Sequence, residues 1–270
     1  MKRLEARHWT FLGLFVVVTI TMLLNIKLEM KVSPYTQDMY TYIESLPEGS
    51  VLIISFDHEA SSLPEIRPIA LAVLRHAFKK GHKLIGVSLL AEGTLIGYRL
   101  MRQTADELDL EYGRDYAYLG FRPQYIAAIL AMGESIQQTY PRDYLGAPYE
   151  QFELLNTVEN YNDVAAVISI ADGSLTTHWI EYGQARYGVK VLGAVTAAMV
   201  TTYDPYLASG QMYAMMGGLR GAAEYEKLIE RDGGGARGML AQSSAHLYVI
   251  LLVVLGNIVY FVSRKQGGGS

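Results

Sequence analysis

Side chains that could do chemistry are concentrated directly after the apolar, β-branched runs of the sequence. The run 51–56 is followed by an acid, an imidazole, a second acid and a hydroxyl, and later runs are followed by a guanidinium or by an acid and a hydroxyl. Such runs are typical of buried parallel strands, whose carboxyl ends share the sheet edge where ligands bind. The sequence therefore predicts a ligand-binding site there, formed by Asp57, His58, Ser61, Arg122, Asp172, Ser174 and His178.

Familiar motifs of catalysis and cofactor binding are absent from the sequence. No glycine-rich dinucleotide turn follows the first run, and neither a G-K-[ST] phosphate loop nor a G-x-S-x-G nucleophile turn occurs. His58-Glu59 begins like a zinc-protease helix, but Ser62 stands where the second histidine is needed. The absence of cysteine excludes thiolate metal ligands and cysteine nucleophiles. We predict no cofactor and assign no metal ligand.

The segment Phe56-Asp57-His58-Glu59-Ala60-Ser61 resembles the signature of the haloacid dehalogenase phosphotransferases. This resemblance implies that Asp57 attacks phosphorus, Glu59 shuttles the proton, Ser88 supplies a hydroxyl and Asp172 binds magnesium. Glutamate stands where the signature has its second aspartate, and Asp172 has no acidic neighbour. The same loop has a second interpretation, in which Asp57 and Ser61 or Ser62 cap the following helix. Asp57, Glu59 and Asp172 are therefore candidate catalytic residues in a chain that we expect not to be an enzyme.

The elements that must position these residues alternate between strands and helices. This alternation indicates an α/β fold: a five-stranded, mostly parallel, doubly wound, Rossmann-like domain of three layers. The predicted strands are Val51–Phe56, Leu84–Leu90, Tyr116–Leu119, Ala165–Ile170 and Lys190–Thr196. The predicted helices include 93–112, 123–138, 149–160, 175–187 and a last one over 205–231. The clearest helix has apolar residues at the spacing of one buried face, at Ile66, Ile69, Ala70, Val73, Leu74 and Ala77.

The last predicted helix is rich in small residues and methionine. Interior glycines each cost about 1 kcal/mol of helix stability relative to alanine, so a close contact with another backbone should offset them. That contact could be the domain's own sheet or a second copy of the chain, and a ligand that approaches the glycines is the third alternative. For the second case the interface candidates are Gly210, Met215, Gly217, Gly218 and Gly221. The triplet Gly233-Gly234-Gly235 is predicted to be a flexible joint.

The two ends of the chain carry the longest uncharged runs. Trp9–Ile26 and Ser243–Val262 are each long enough to cross the roughly 30 Å hydrocarbon layer as a helix. Basic residues flank both runs on their outer sides, which predicts cytoplasmic ends. The predicted segments are a tail (1–8), a transmembrane helix (9–26), an extracytoplasmic domain (27–237), a second transmembrane helix (243–262) and a tail (263–270) that ends in an apparent added linker.

Together these features predict a two-pass protein of the plasma (inner) membrane, with the lipid bilayer as one partner. We expect it to act as a scaffold, through homo-oligomers or contact with other membrane or envelope proteins. The alternative is a ligand-sensing domain with its pocket at the strand ends, and the phosphohydrolase interpretation stands behind both. With a formal net charge of −4 and no basic stripe, the chain is not expected to bind nucleic acid.

Overall fold

The structure is a computed structural model that describes residues 5–24, 30–231 and 233–267. Parts of some predictions lie outside these residues: the start of the N-terminal tail, the end of the first predicted span, the first residues of the predicted domain and the end of the apparent linker. Met30–Gly235 forms one compact unit, and the described residues on either side of it form a second.

The compact unit is built on an open sheet of six parallel strands. In chain order they are β1 (Val51–Asp57), β2 (Lys83–Ser88), β3 (Tyr116–Phe121), β4 (Ala166–Ala171), β5 (Val191–Val195) and β6 (Ala214–Gly217). Their order across the sheet is β3-β2-β1-β4-β5-β6, and every neighbouring pair is parallel. This is the strand order of the Rossmann fold. The α/β class is confirmed, and all five predicted strands are present. The sheet contains a sixth strand, β6, so the predicted number of strands is wrong.

The sixth strand lies inside the segment predicted as one long helix. This segment forms helix α9 (Val200–Ala208), strand β6 and helix α10 (Gly218–Leu228). Helices are numbered in chain order. Strand β6 has only four residues and no β-branched side chain, and alanine and methionine favour helices in isolation. Pairing with β5 and cover from helix α2 (Pro34–Ser45) hold this segment extended.

The remaining helices of the unit connect the strands. They are α3 (Leu63–Lys79), α4 (Ala91–Asp106), α5 (Tyr125–Glu134), α6 (Ile136–Thr139), α7 (Leu175–His178) and α8 (Ala185–Tyr187). A π-helical segment, Trp179–Gln184, joins α7 to α8. The helix predicted over 149–160 is wrong, because that stretch forms the short 3₁₀ turns Tyr149–Gln151 and Leu155–Thr157.

Two apolar layers cover the sheet, one on each face. The first packs α2, α3, α4 and α10 against side chains such as Leu52, Ile54 and Ile168. The second packs α5, α6, the 3₁₀ turns and Trp179 against Ile53, Ile85 and Val167. Side chains alternate between the faces along each strand, so both faces of the sheet are apolar. The predicted three-layer arrangement is confirmed, as is the buried face of α3.

Helix α10 holds both ends of the compact unit. The Glu224 carboxylate, 1% exposed, accepts hydrogen bonds from the N–H and hydroxyl of Ser33, at 3.0 and 2.7 Å. Two residues on, Glu226 accepts a hydrogen bond from the N–H of Gly235 at 2.9 Å. A Cβ on Gly235 would lie 2.7 Å from the backbone nitrogen of Ala223. The last helix, α11 (Gly234–Gly267), begins within this triplet, which was predicted to be a flexible joint.

The second unit contains the first helix, α1 (Ala6–Leu23), and most of α11. Among the described residues only Gly234–Arg264 of α11 is long and apolar enough to cross a membrane. The apolar stretch of α1, Arg7–Leu23, falls short of that length, so the structure supports one of the two predicted spans. The helices touch where the Tyr248 hydroxyl donates to the carbonyl of Thr10 at 3.2 Å, beside Gly13.

Candidate functional site

Most of the predicted site residues follow the carboxyl ends of the two central strands, β1 and β4. In the parallel register Asp57 lies opposite Ala171, and strand order reverses between these two strands. Such a reversal opens a crevice in most Rossmann-like folds. In this protein the loops after β1 and β4 meet across the crevice, because the N–H of Glu59 donates to Asp172 Oδ2 at 2.8 Å.

Asp57 is the buried centre of this region. Its Oδ1 accepts hydrogen bonds from the Ser55 hydroxyl at 2.8 Å and the Leu89 N–H at 2.9 Å. Its Oδ2 accepts from the Ser169 hydroxyl at 3.2 Å and the Trp179 indole N–H at 3.1 Å. These donors belong to β1, the residue after β2, β4 and the π-helical segment. Asp57 therefore joins the sheet to the helix that follows β4.

The surroundings of Asp57 do not favour a role as nucleophile. The residue is 1% exposed and both carboxylate oxygens are occupied by donors. Burial raises the pKa of the Asp57 carboxyl, an effect that the four hydrogen bonds oppose. A nucleophile must reach its substrate, and this carboxylate has no open approach. Nor does Asp57 cap the following helix, as the alternative interpretation required.

The other acids near the strand ends bind backbone N–H groups of neighbouring loops. Besides the Glu59–Asp172 contact, Glu92 Oε2 accepts from the N–H of Ala60 at 3.1 Å, and Glu65 Oε1 accepts from the N–H of Ala197 at 2.7 Å. In the part of the chain that the structure describes, no group of three or more acids and histidines could hold a metal ion. These carboxylates fasten the loops together rather than converging on one point.

The predicted histidines and hydroxyls have separate surroundings. His58 is fully buried, with Nδ1 at 3.1 Å from the Glu59 carbonyl oxygen and with Nε2 lacking a partner among the described residues. His178 instead stacks on Tyr125 of α5, with ring centroids 4.6 Å apart. Ser61 is exposed near Glu59 and Ser174 is exposed at the start of α7. Ser88 donates to the Phe56 carbonyl at 2.7 Å, which ties β2 to β1.

Arg122, the remaining predicted ligand-binding residue, lines a cavity of about 460 Å³ beyond β3. Its guanidinium lies over the Tyr140 ring, 5.7 Å from the ring centroid. The loop 140–144 also lines the cavity, and it is fixed to β3 by the hydrogen bond from the Tyr144 N–H to the Tyr118 carbonyl at 2.9 Å. The lining residues are Thr94, Leu119, Phe121, Arg122, Tyr140, Pro141, Arg142, Asp143 and Tyr144.

Most of this lining was not assigned to the site from the sequence. The segment 140–148 is rich in turn-forming residues, which indicates a loop but not which strand end it approaches. The contact that positions it is between main-chain atoms, and such a contact leaves no side-chain signature. The tyrosine-arginine pattern of residues 140–144 is the one signal that could have marked this loop.

The predicted interface residues lie mostly inside the domain. Met215 is buried in β6, and Gly221 is buried in α10 against Met216. Gly218 has a φ of +67°, and a Cβ there would lie 2.8 Å from that of Ala197. Gly217 is half-buried against Val200, and only Gly210 is exposed, in the turn after α9. Self-association stays a prediction. The small residues from which it was inferred do not lie on the surface of one helix.

The fold defines an open, parallel α/β domain with Rossmann strand order and a cavity at its carboxyl edge. Comparison of the sequence with models of known protein families and with curated proteins finds no match to either.

Proposed function

We propose that this protein is a membrane-anchored ligand-sensing domain that binds a small molecule in the cavity between β3 and the loop 140–144. The observation that supports this proposal most directly is the cavity itself, whose volume of about 460 Å³ falls within the usual range for small-molecule sites. The acids that a phosphohydrolase would use are engaged with donors of the protein itself. Sensing is therefore better supported than the phosphohydrolase hypothesis.

We also propose that α1 and α11 both cross the plasma (inner) membrane, with both ends cytoplasmic and the domain outside. The length and apolarity of α11 and the packing of Tyr248 beside Gly13 support this arrangement. Small residues are typical of contacts between membrane helices, because they let the backbones approach. The shared attachment of both domain ends to α10 also suits two helices in one bilayer.

The topology can be tested with single cysteines, since the sequence contains none. We would place them at Glu5→Cys, Ser209→Cys and Ser263→Cys and label intact cells with a membrane-impermeant maleimide. The proposal predicts labelling of the Ser209→Cys variant alone, with the other two reacting only after permeabilisation. Labelling of the two end positions from opposite sides would contradict a two-pass chain.

The ligand-sensing function can be tested by filling the cavity. We would screen small acids, amines, sugars and amino acids for those that raise the thermal unfolding midpoint of the full chain in detergent. Thr94→Phe fills the cavity, whereas Thr201→Phe makes the same change at an exposed position of α9. The expected result is a stabilising compound that acts on wild type and Thr201→Phe but not on Thr94→Phe. A compound that stabilises all three equally would place binding elsewhere.

A further inference from the structure

We infer that the exposed face of helix α4 pairs with the same face of a second copy of this chain, in an antiparallel arrangement about a twofold axis. The face consists of Glu92, Leu95, Arg99 and Arg102, and we call it the α4 seam. This inference goes beyond the ligand-sensing function and does not depend on it. It is derived from the spacing, the charges and the apolar surroundings of the seam, taken in turn.

The spacing of the exposed residues on α4 gives the first argument. All four residues of the α4 seam are exposed, and they follow one another at intervals of three, four and three residues. These intervals are those of the a and d positions of a heptad repeat, which form the contact stripe of paired helices. The opposite side of α4 faces the sheet, since a Cβ on Gly97 would clash with the Phe56 ring. The α4 seam is thus a pairing stripe that the domain leaves exposed to solvent.

The order of charges along the α4 seam gives the second argument. In an antiparallel pair each a position lies opposite a d position of the other helix. With Leu95 opposite Arg99 of the second copy, Glu92 comes opposite Arg102, and the twofold axis repeats both contacts. Each acid then meets a base, and Leu95 meets the aliphatic stem of an arginine. A parallel pair would instead place Glu92 against Glu92 and Arg99 against Arg99.

The charged groups of the seam are available for such contacts. Arg99 has no ion-pair partner among the described residues, and Arg102 lies 3.8 Å from the Asp106 carboxylate. Glu92 uses one carboxylate oxygen for the Ala60 N–H, at 3.1 Å, which leaves its other oxygen for a base. A lipid surface or an acidic partner would suit a face of arginines alone. The α4 seam carries acid and base in an order that matches itself, so a second copy is the partner that fits.

Apolar side chains beside the α4 seam give the third argument. Seven large apolar side chains are exposed in the described part of the compact unit, and five of them lie near the start of α4 and the end of β3. These five are Leu95, Phe121, Tyr125, Tyr144 and Leu145. Tyr144 contacts Tyr98 of α4, with ring centroids 5.1 Å apart. Exposed ion pairs alone bind weakly, and this apolar surface supplies the burial that a stable contact needs.

Cysteine crosslinking tests the pairing directly, because the sequence contains no cysteine. We would make Glu92→Cys and Arg102→Cys variants of the full chain together in one cell and oxidise the membranes mildly. The two variants should form a disulfide-linked dimer. Either variant alone should not, because the pair separates the two copies of one position by about 15 Å along the helix, beyond the reach of a disulfide. Arg186→Cys, at an exposed position of α8, replaces Arg102→Cys as the control.

Charge reversal tests why the helices pair. Wild type should sediment as a dimer in detergent, and Arg102→Glu should raise the dissociation constant of the dimer about tenfold, because it places like charges opposite each other at two symmetric positions. Combining it with Glu92→Arg restores opposite charges and should return the constant to the wild-type value. Arg186→Glu makes the same reversal on α8 and should leave the constant unchanged.

Several results would overturn the inference. A monomeric wild type, or no disulfide between the Glu92→Cys and Arg102→Cys variants, would mean that the α4 seam is not an interface, while the ligand-sensing function would be unaffected. Crosslinking of either variant alone, or with Arg186→Cys, to the same extent as the mixture would contradict the antiparallel arrangement. A double charge variant that dimerises as weakly as Arg102→Glu would contradict the pairing of Glu92 with Arg102.

Discussion

Single residues at the carboxyl edge have structural roles that their types alone do not reveal. Asp57 was selected because an acid after a buried strand is typical of catalytic and ligand-binding sites, and the structure places it there. Its four donors come from segments far apart in sequence, among them Leu89, Ser169 and Trp179. The location of this residue could be predicted from the sequence, whereas its partners could not, because they follow from strand order and helix packing.

Asp57→Asn should lower the free energy of unfolding by about 1–3 kcal/mol. An amide nitrogen at either carboxylate position would face two donors, and those buried donors would lose their acceptor. Urea titrations of the full chain followed by tryptophan fluorescence can measure this, because Trp179 is buried beside the site. Asp106→Asn, at an exposed position of α4, should change the value by about 0.5 kcal/mol or less. Equal stability of the two variants would contradict the structural role of Asp57.

Elements with a strong periodic pattern could be predicted, and elements defined by their neighbours could not. Helix α3 has six apolar residues on one face, and five strands are apolar runs of ordinary length. Strand β6 and the loop 140–144 depend on contacts with β5 and β3, which no local pattern encodes. The cavity lies between β3, a strand that its apolar run predicts, and the loop 140–144, which no local pattern predicts. The sequence therefore identified Arg122 but not Tyr140.

Gly93, in the first turn of α4, lets this helix lie close to the carboxyl end of β1. A Cβ on Gly93 would clash with the backbone carbonyl oxygen of Phe56 in β1. In an open helix Gly→Ala would stabilise by about 1 kcal/mol, but overpacking of this kind costs about 1–3 kcal/mol. We expect Gly93→Ala to be less stable than wild type in thermal unfolding. Gly173→Ala, with no atom near the added methyl, should unfold at the wild-type temperature.

A stabilised Gly93→Ala protein would mean that α4 stands further from β1 than the structure shows. The position of α4 affects the site directly, because Thr94 in the same turn lines the cavity and its carbonyl accepts the Tyr118 hydroxyl at 2.7 Å.

At the scale of the whole molecule, the first and last segments of the compact unit are both bound to one helix of that unit. Helix α10 holds the entry through Glu224 and the exit through Glu226. Between these two acids, the Tyr225 hydroxyl lies 2.8 Å from Nδ1 of the buried His76 in α3, and Nε2 of His76 lies 2.9 Å from Glu44 in α2.

The stability of the protein should fall on mild acidification through His76. Burial lowers the pKa of His76 from its ordinary value of 6.5, although the hydrogen bond to Glu44 opposes this effect. The unfolded chain then binds the proton more readily, so the stability that is complete above pH 6.5 is lost as pH falls through the lowered pKa. Unfolding free energies at about pH 7.5 and about pH 5.5 should differ more in wild type than in His76→Gln. An identical pH dependence in both proteins would contradict this account.

The central claim is that a ligand binds beyond β3 and not in the closed crevice between β1 and β4. Hydrogen–deuterium exchange of the full chain, with and without a stabilising compound from the thermal unfolding screen, compares the two places in one measurement. The account predicts slower exchange in peptides that cover residues 118–122 and 140–144, with no change over 57–62 and 171–174. Protection confined to the second pair of segments, or absent from both pairs, would contradict it.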